Sequence, residues 1–155
     1  DFDAYNPQPA TQDGAWAVAP CWAGRNALAY CSYKPGHPTI YLHQLSTGAR
    51  AIVAAHPGAN TSPAVSPDGK RIAMILSKGG NPDLYVSDTA GRNLIQLTRT
   101  SEAESSPCWS PDSSRICFVS RSSGAAAIYT IPAGGGSPKR ISTPGASTVT
   151  VAAST

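Results

Sequence analysis

The chain has 155 residues, 14% of them charged, with 14 glycines and 14 prolines. That balance suits an all-β chain with one sizeable core and many tight turns, and it excludes a disordered tail, which pairs low hydrophobicity with high net charge. The formal charge of +3 comes from scattered basic residues that never cluster beyond adjacent pairs, so no concentrated basic face for nucleic acid is expected. No apolar run reaches transmembrane length, and Asp1-Phe2-Asp3 does not read as a signal peptide, so an export signal is expected to have been removed or to lie outside this chain.

Residues 1–11 read as an outer strand, because Thr11 stands as far before Trp22 as Thr98 stands before Trp109. From there the chain is periodic. Tyr41, Tyr85 and Tyr129 recur at intervals of 44 residues, each after Ile or Leu, and Ser66-Pro67-Asp68 returns as Ser110-Pro111-Asp112 after the same interval. Three units follow, at about 19–54, 62–98 and 106–142.

Unit one has Ala23-Gly24-Arg25 for its first turn, one residue shorter than the others, and matches them from Leu28 onward. In unit two, 62–66 reads as a short first strand, and Pro67-Asp68-Gly69 as a turn with φ preset by proline and a left-handed position open to glycine. Arg71–Leu76 is a second strand whose nearly continuous apolar run implies cover on both faces. Residues 83–87 and 94–97 complete the unit. Unit three repeats the plan at 106–110, 115–120, 127–131 and 139–141, and the tail 149–155 falls where the first strand of a next unit belongs.

Four short strands per 44 residues mark β-propeller blades. The expected fold is an all-β propeller fragment: three four-stranded blades plus one strand at each end. Three blades cannot close a ring, so a larger parent is expected, and open blade faces would favour self-association. Trp22 and Trp109 share one repeat position, with Val65 between them, and are expected to wedge between blades. Asp68 and Asp112 are expected to cap their turns.

The hairpin at 111–114 pairs Trp109 with Ile116 and therefore sets Cys108 opposite Cys117. At a non-hydrogen-bonded site such a pair lies within disulfide reach; the alternative is two buried thiols. Cys21 and Cys31 are offset diagonally, and no C-x-x-C spacing suggests zinc. His37 is expected in a turn, His43 on an exposed strand and His56 in an inter-blade loop, with no metal-ligand spacing among them. G-x-S-x-G and P-loop patterns are absent, Gly134–Gly136 reads as a flexible turn, and Asn60-Thr61-Ser62 formally matches a glycosylation acceptor. No catalytic residue, metal or cofactor is expected.

The string from Ser62 to Ala73, the string Gly80-Asn81-Pro82-Asp83-Leu84-Tyr85-Val86, and Ser106-Pro107-Cys108-Trp109-Ser110-Pro111-Asp112 all resemble the propeller repeat of the TolB family. Ile40–Gly48, His56–Asn60 and the opening Asp1–Pro7 are similar to the same family, so the resemblance spans essentially the whole chain. It implies a six-bladed propeller in the Gram-negative periplasm that binds the peptidoglycan-associated lipoprotein Pal, with other Tol proteins met through a separate N-terminal domain. Carried onto this chain, the partner-facing loops are Ala59, Asn60, Thr61 and Ser62, and Glu104 with Ser105 ahead of Ser106. Where the family often has a histidine before the asparagine, this chain has Ala59. The Ser-Pro-Asp-Gly repeat also resembles the propellers of prolyl-peptidase-type hydrolases and of lyases, which leaves a substrate-filtering propeller as the alternative.

Overall fold

The computed structural model describes residues 9–11 and 14–141. These hold twelve strands and no helix. The first sheet contains β1 (Ala17–Trp22), β2 (Ala27–Ser32), β3 (Thr39–Gln44) and β4 (Arg50–Ala54). The second contains β5 (Asn60–Val65), β6 (Arg71–Leu76), β7 (Asp83–Asp88) and β8 (Ile95–Gln96), and the third β9 (Glu104–Trp109), β10 (Arg115–Ser120), β11 (Ala127–Pro132) and β12 (Lys139–Arg140). Each sheet is an antiparallel meander with its strands in sequence order. The strands expected within 1–11 and 149–155 lie outside the described residues, apart from residues 9–11, which form no strand.

The continuous apolar run of β6 has a direct explanation. Successive side chains of a strand point to opposite faces. Ile72, Met74 and Leu76 therefore join Ala29, Ile40, Val53 and Ala54 of the first sheet in one core. Ala73 and Ile75 face the other way, into a second core with Ile116, Phe118 and Ile131 of the third sheet. β7 divides likewise, with Tyr85 in the first core and Leu84 and Val86 in the second. A middle sheet with both faces covered has no room for polar alternation. Full burial of each such aliphatic side chain contributes about 1.5–3 kcal/mol.

β5 and β9 begin two residues earlier than the sequence suggests. Pairing runs as Asn60↔Leu76 and Thr61↔Ile75, shifts register, and resumes at Ala64↔Ala73. The shift is a bulge at Ser62-Pro63, with Ser62 at φ 51°. Proline lacks the N–H a regular ladder needs, so the strand detours around it and pairs on both sides. β9 shows the same interruption at Ser106, φ 51°, and β1 at Ala19, φ 52°.

One expectation is corrected. His43 is buried, not exposed, and lies against the Tyr30 ring at 6.3 Å between centroids. It stands on the face of β3 that carries Tyr41, beside the stacked Tyr30–Tyr41 pair, which covers it. Trp22 is 65% exposed and lines the edge of the first sheet; the preceding blade against which it was expected to wedge lies outside the described residues.

Adjacent sheets also meet through a turn. The β7–β8 connection places Gly91, at φ +78°, against the backbone of Val53 on β4, so that a Cβ there would be driven into the Val53 carbonyl oxygen. Gly48, at φ +70°, faces open space. Gly48→Ala is expected to cost about 1 kcal/mol, the price of a left-handed alanine. Gly91→Ala should cost at least about twice that, since backbone must also move. Urea denaturation of both variants measures the difference; equal losses would contradict the close approach.

Candidate partner-binding surface

β1, β5 and β9 each lie at the same end of their sheets and stand side by side. Their Ala19-Pro20, Ser62-Pro63 and Ser106-Pro107 bulges line a shared groove of about 830 Å³, together with Trp22, Cys108 and Trp109. A left-handed residue before proline is disfavoured twice over, by its own Cβ and by the following ring. Three such residues, at about 1–2 kcal/mol each, must be held by the surrounding packing. Prolines at the same place in every unit, within what otherwise reads as strand, are the signal from which these bulges could have been read.

The loops leading into β5 and β9 are pinned from inside. Asn60 is wholly buried. Its Oδ1 accepts the His56 N–H at 2.9 Å, and its Nδ2 donates to the carbonyls of His56 at 2.6 Å and Gly58 at 3.1 Å. Ala59 is tied to β6 through Ser77, whose hydroxyl accepts the Ala59 N–H at 2.6 Å and whose N–H donates back at 3.1 Å. Glu104, one repeat on from Asn60, is 2% exposed and accepts the hydroxyls of Thr98, Thr100 and Ser120. Burial pushes its carboxyl above the usual glutamate range. Thus two of the six expected partner contacts, Asn60 and Glu104, turn their side chains inward. The outward positions are Ser105, which is exposed, and Ala59, Thr61 and Ser62, which are partly so. Sequence reasoning missed Asp83, buried at the start of β7 beside Glu104; a charged residue opening an apolar strand was its signal.

At the other end of the groove, turns join the second and third sheets. Trp109 Nε1 donates to the Ala64 carbonyl at 2.7 Å, and the Arg71 guanidinium lies 4.9 Å from the centre of the Trp109 ring. Arg71 also donates to the Ser113 carbonyl at 2.5 Å, while the Asp68 N–H donates to the Ser113 hydroxyl at 3.1 Å. Asp68 caps its own turn by accepting the Ser66 hydroxyl at 2.6 Å and the Lys70 N–H at 3.1 Å. Asp112 accepts the Ser110 hydroxyl at 2.5 Å and the Ser114 N–H at 3.0 Å, which hold its carboxyl down to about 2.

Cys108 and Cys117 stand opposite one another as thiols. The Ser110 N–H bonds to the Arg115 carbonyl, so ladder alternation makes 108/117 a hydrogen-bonded pair, with Cα atoms about 5.5 Å apart. The non-hydrogen-bonded site, on which the disulfide alternative depended, is instead Trp109/Ile116. Burial and the facing Cys117 thiol push the Cys108 thiol up. Cys21 and Cys31 are also free.

Successive four-stranded sheets that share their faces, with bulged first strands lining one groove, define a stretch of β-propeller blades. The chain belongs to the TolB beta propeller domain family, whose profile matches residues 1–155. It is 34% identical over 101 residues to the Tol-Pal system protein TolB of Desulfosudis oleivorans, and 32% identical over 102 residues to that of Francisella tularensis subsp. holarctica. These alignments cover 64% and 63% of this chain, and the chain spans 23% of either relative. The crystal structure of TolB from Acinetobacter baumannii superposes with a TM-score of 0.83 at 32% identity, covering 94% of this chain and 37% of that one. An acylaminoacyl peptidase, at 23% identity and a TM-score of 0.55, is alike in fold alone.

Asn60→Ala strands buried partners of the amide and should cost about 1–3 kcal/mol, whereas Thr61→Ala should stay within about 0.5 kcal/mol. Thermal denaturation decides; equal effects would contradict the clamp. The Asp112 cap is at full strength above the ordinary aspartate value of 3.8 and is lost as pH falls through about 2. An NMR titration should find that midpoint, and Ser110→Ala should move it back toward 3.8.

Proposed function

We propose that this chain is a non-catalytic protein-binding segment of a TolB-type propeller, acting in the periplasm within the Tol–Pal system. Its partner is a Pal-type peptidoglycan-associated lipoprotein, received on the loops 56–62 and 99–106. The observation that carries this reading is the division of those loops into an inner and an outer half. Asn60 and Glu104 fix the backbone from within, and small polar residues, Thr61, Ser62 and Ser105, remain outward. Rigidly framed loops with little ordering left to lose suit recognition of a folded protein. The relatives above 30% identity bear the TolB name and none of the three reported is described as an enzyme, which favours a binding role over a substrate filter.

Replacing Thr61 or Ser105 by tryptophan should weaken binding of the lipoprotein's soluble domain at least about tenfold, or 1.4 kcal/mol, with the melting temperature unchanged. Isothermal titration measures this. Unchanged affinity in both variants would remove these loops from the interface.

A further inference from the structure

Beneath the loop between β8 and β9, two carboxyl groups are buried together. Asp83 opens β7 at 4% exposure and Glu104 opens β9 at 2%. Asp83 accepts the Gln96 side-chain amide at 2.9 Å and the Thr100 N–H at 3.1 Å. Glu104 Oε1 is reached by the hydroxyls of Thr100 at 2.7 Å and Ser120 at 3.1 Å. The Thr98 hydroxyl stands between the two acids, 3.0 Å from Glu104 Oε2 and 3.4 Å from Asp83 Oδ1, while it accepts the Leu84 N–H at 2.8 Å.

Counting protons shows a shortage. The Thr98 hydroxyl carries one proton and faces two carboxyls. The Thr100 hydroxyl also has one, and lies 2.7 Å from both Glu104 Oε1 and the Glu102 carbonyl. The Asp83 and Glu104 carboxyls are thus joined through the single Thr98 hydroxyl. Among the described residues no cation forms an ion pair with either. Arg99 lines the same pocket as Asp83 and, like Asp83, acts on Tyr85 of β7; Glu102 of the loop offers its carbonyl to Thr100, and Lys78 and Arg121 are the charged residues next along the chain, in the β6–β7 turn and just beyond β10. β5 has none, Arg71 on β6 is engaged with Trp109 and Ser113, and Arg115 on β10 with Thr130. Two buried carboxylates joined through one hydroxyl, with no ion-paired cation, cannot both persist at little cost.

We infer that Asp83 and Glu104 share one proton, and that this proton locks the loop leading into β9. The order of that loop then depends on pH. The preceding inter-blade loop supplies an internal control, since Asn60, one repeat earlier, makes its clamp with a neutral amide. His56 in that loop is pushed below the usual histidine range by burial and by Lys78, and so stays neutral on the alkaline side. Because the Glu104 carboxyl is raised in the folded chain, the lock is at full strength below the ordinary value of 4.5 and weakens as pH rises through the folded value. Its bearing on partner binding rests on the function proposed above: one recognition loop would loosen with rising pH while its neighbour would not.

The test is a side-chain carboxyl NMR titration of the chain, with amide hydrogen exchange read at Thr100 and Glu104. The Glu104 proton should leave only at a pH above the ordinary glutamate value of 4.5. Above that step, exchange at the two amides should rise faster than in an unstructured amide, and exchange at Asn60 should not. Glu104→Gln, which mimics the protonated acid, should abolish the excess. Asp83→Asn should move the Glu104 step downward, and serves as the second variant if Glu104→Gln fails to fold. The proposal is overturned by an ordinary Glu104 titration, by an exchange excess that survives in Glu104→Gln, or by a Glu104 step unmoved in Asp83→Asn. None of these measurements involves a partner, so they stand or fall separately from the lipoprotein reading.

Discussion

Burial of both faces of the middle sheet is the constraint on which the remaining structure depends. A four-stranded meander has two faces, and β6 and β7 have apolar side chains on each. Neither face can be left in water without losing several kcal/mol of hydrophobic stabilisation. The first and third sheets supply the cover, and their own inner strands are recruited into the two cores. Stacking sheets face to face around a common end brings the first strands of all three together. The groove is therefore a by-product of core formation.

Recognition is then a matter of what the groove and its loops present. The first strand of each blade accepts a left-handed residue before proline, a local cost that the covered sheets can absorb. The loops ahead of the β5 and β9 bulges are each held by one buried polar side chain, Asn60 in one case and Glu104 in the other. The same repeat position thus performs the same mechanical task with different chemistry. An amide satisfies its loop by giving and accepting hydrogen bonds with the main chain. A carboxyl must gather hydroxyls, and its second acid neighbour, Asp83, makes the arrangement sensitive to protonation.

Much of this was legible in the sequence, because periodicity reports side-chain direction. The 44-residue interval, the Ser-Pro-Asp turns and the apolar run at Arg71–Leu76 all depend on local geometry or on burial of whole strands. Features that depend on neighbours in space were not legible. Trp22 and Trp109 occupy one repeat position, yet Trp109 finds the Ala64 carbonyl and the Arg71 guanidinium on an adjacent sheet, and Trp22 finds neither. His43 looked exposed because strand alternation cannot show that Tyr30 and Tyr41 shelter it. The inward turn of Asn60 and Glu104 was hidden for a similar reason: polar residues in a loop read as surface until their partners are located. Ladder phase also lies beyond the sequence, which set Cys108 opposite Cys117 without telling which kind of pair they form.

The central claim is that the middle sheet is sandwiched between two cores, and native-state hydrogen exchange across the chain tests it most directly. Amides of β6 and β7 should be the slowest to exchange, slower than their repeat equivalents in β2, β3, β10 and β11, because opening them requires both cores to separate. Equal protection in all three sheets, or faster exchange in β6 than in β10, would contradict the account.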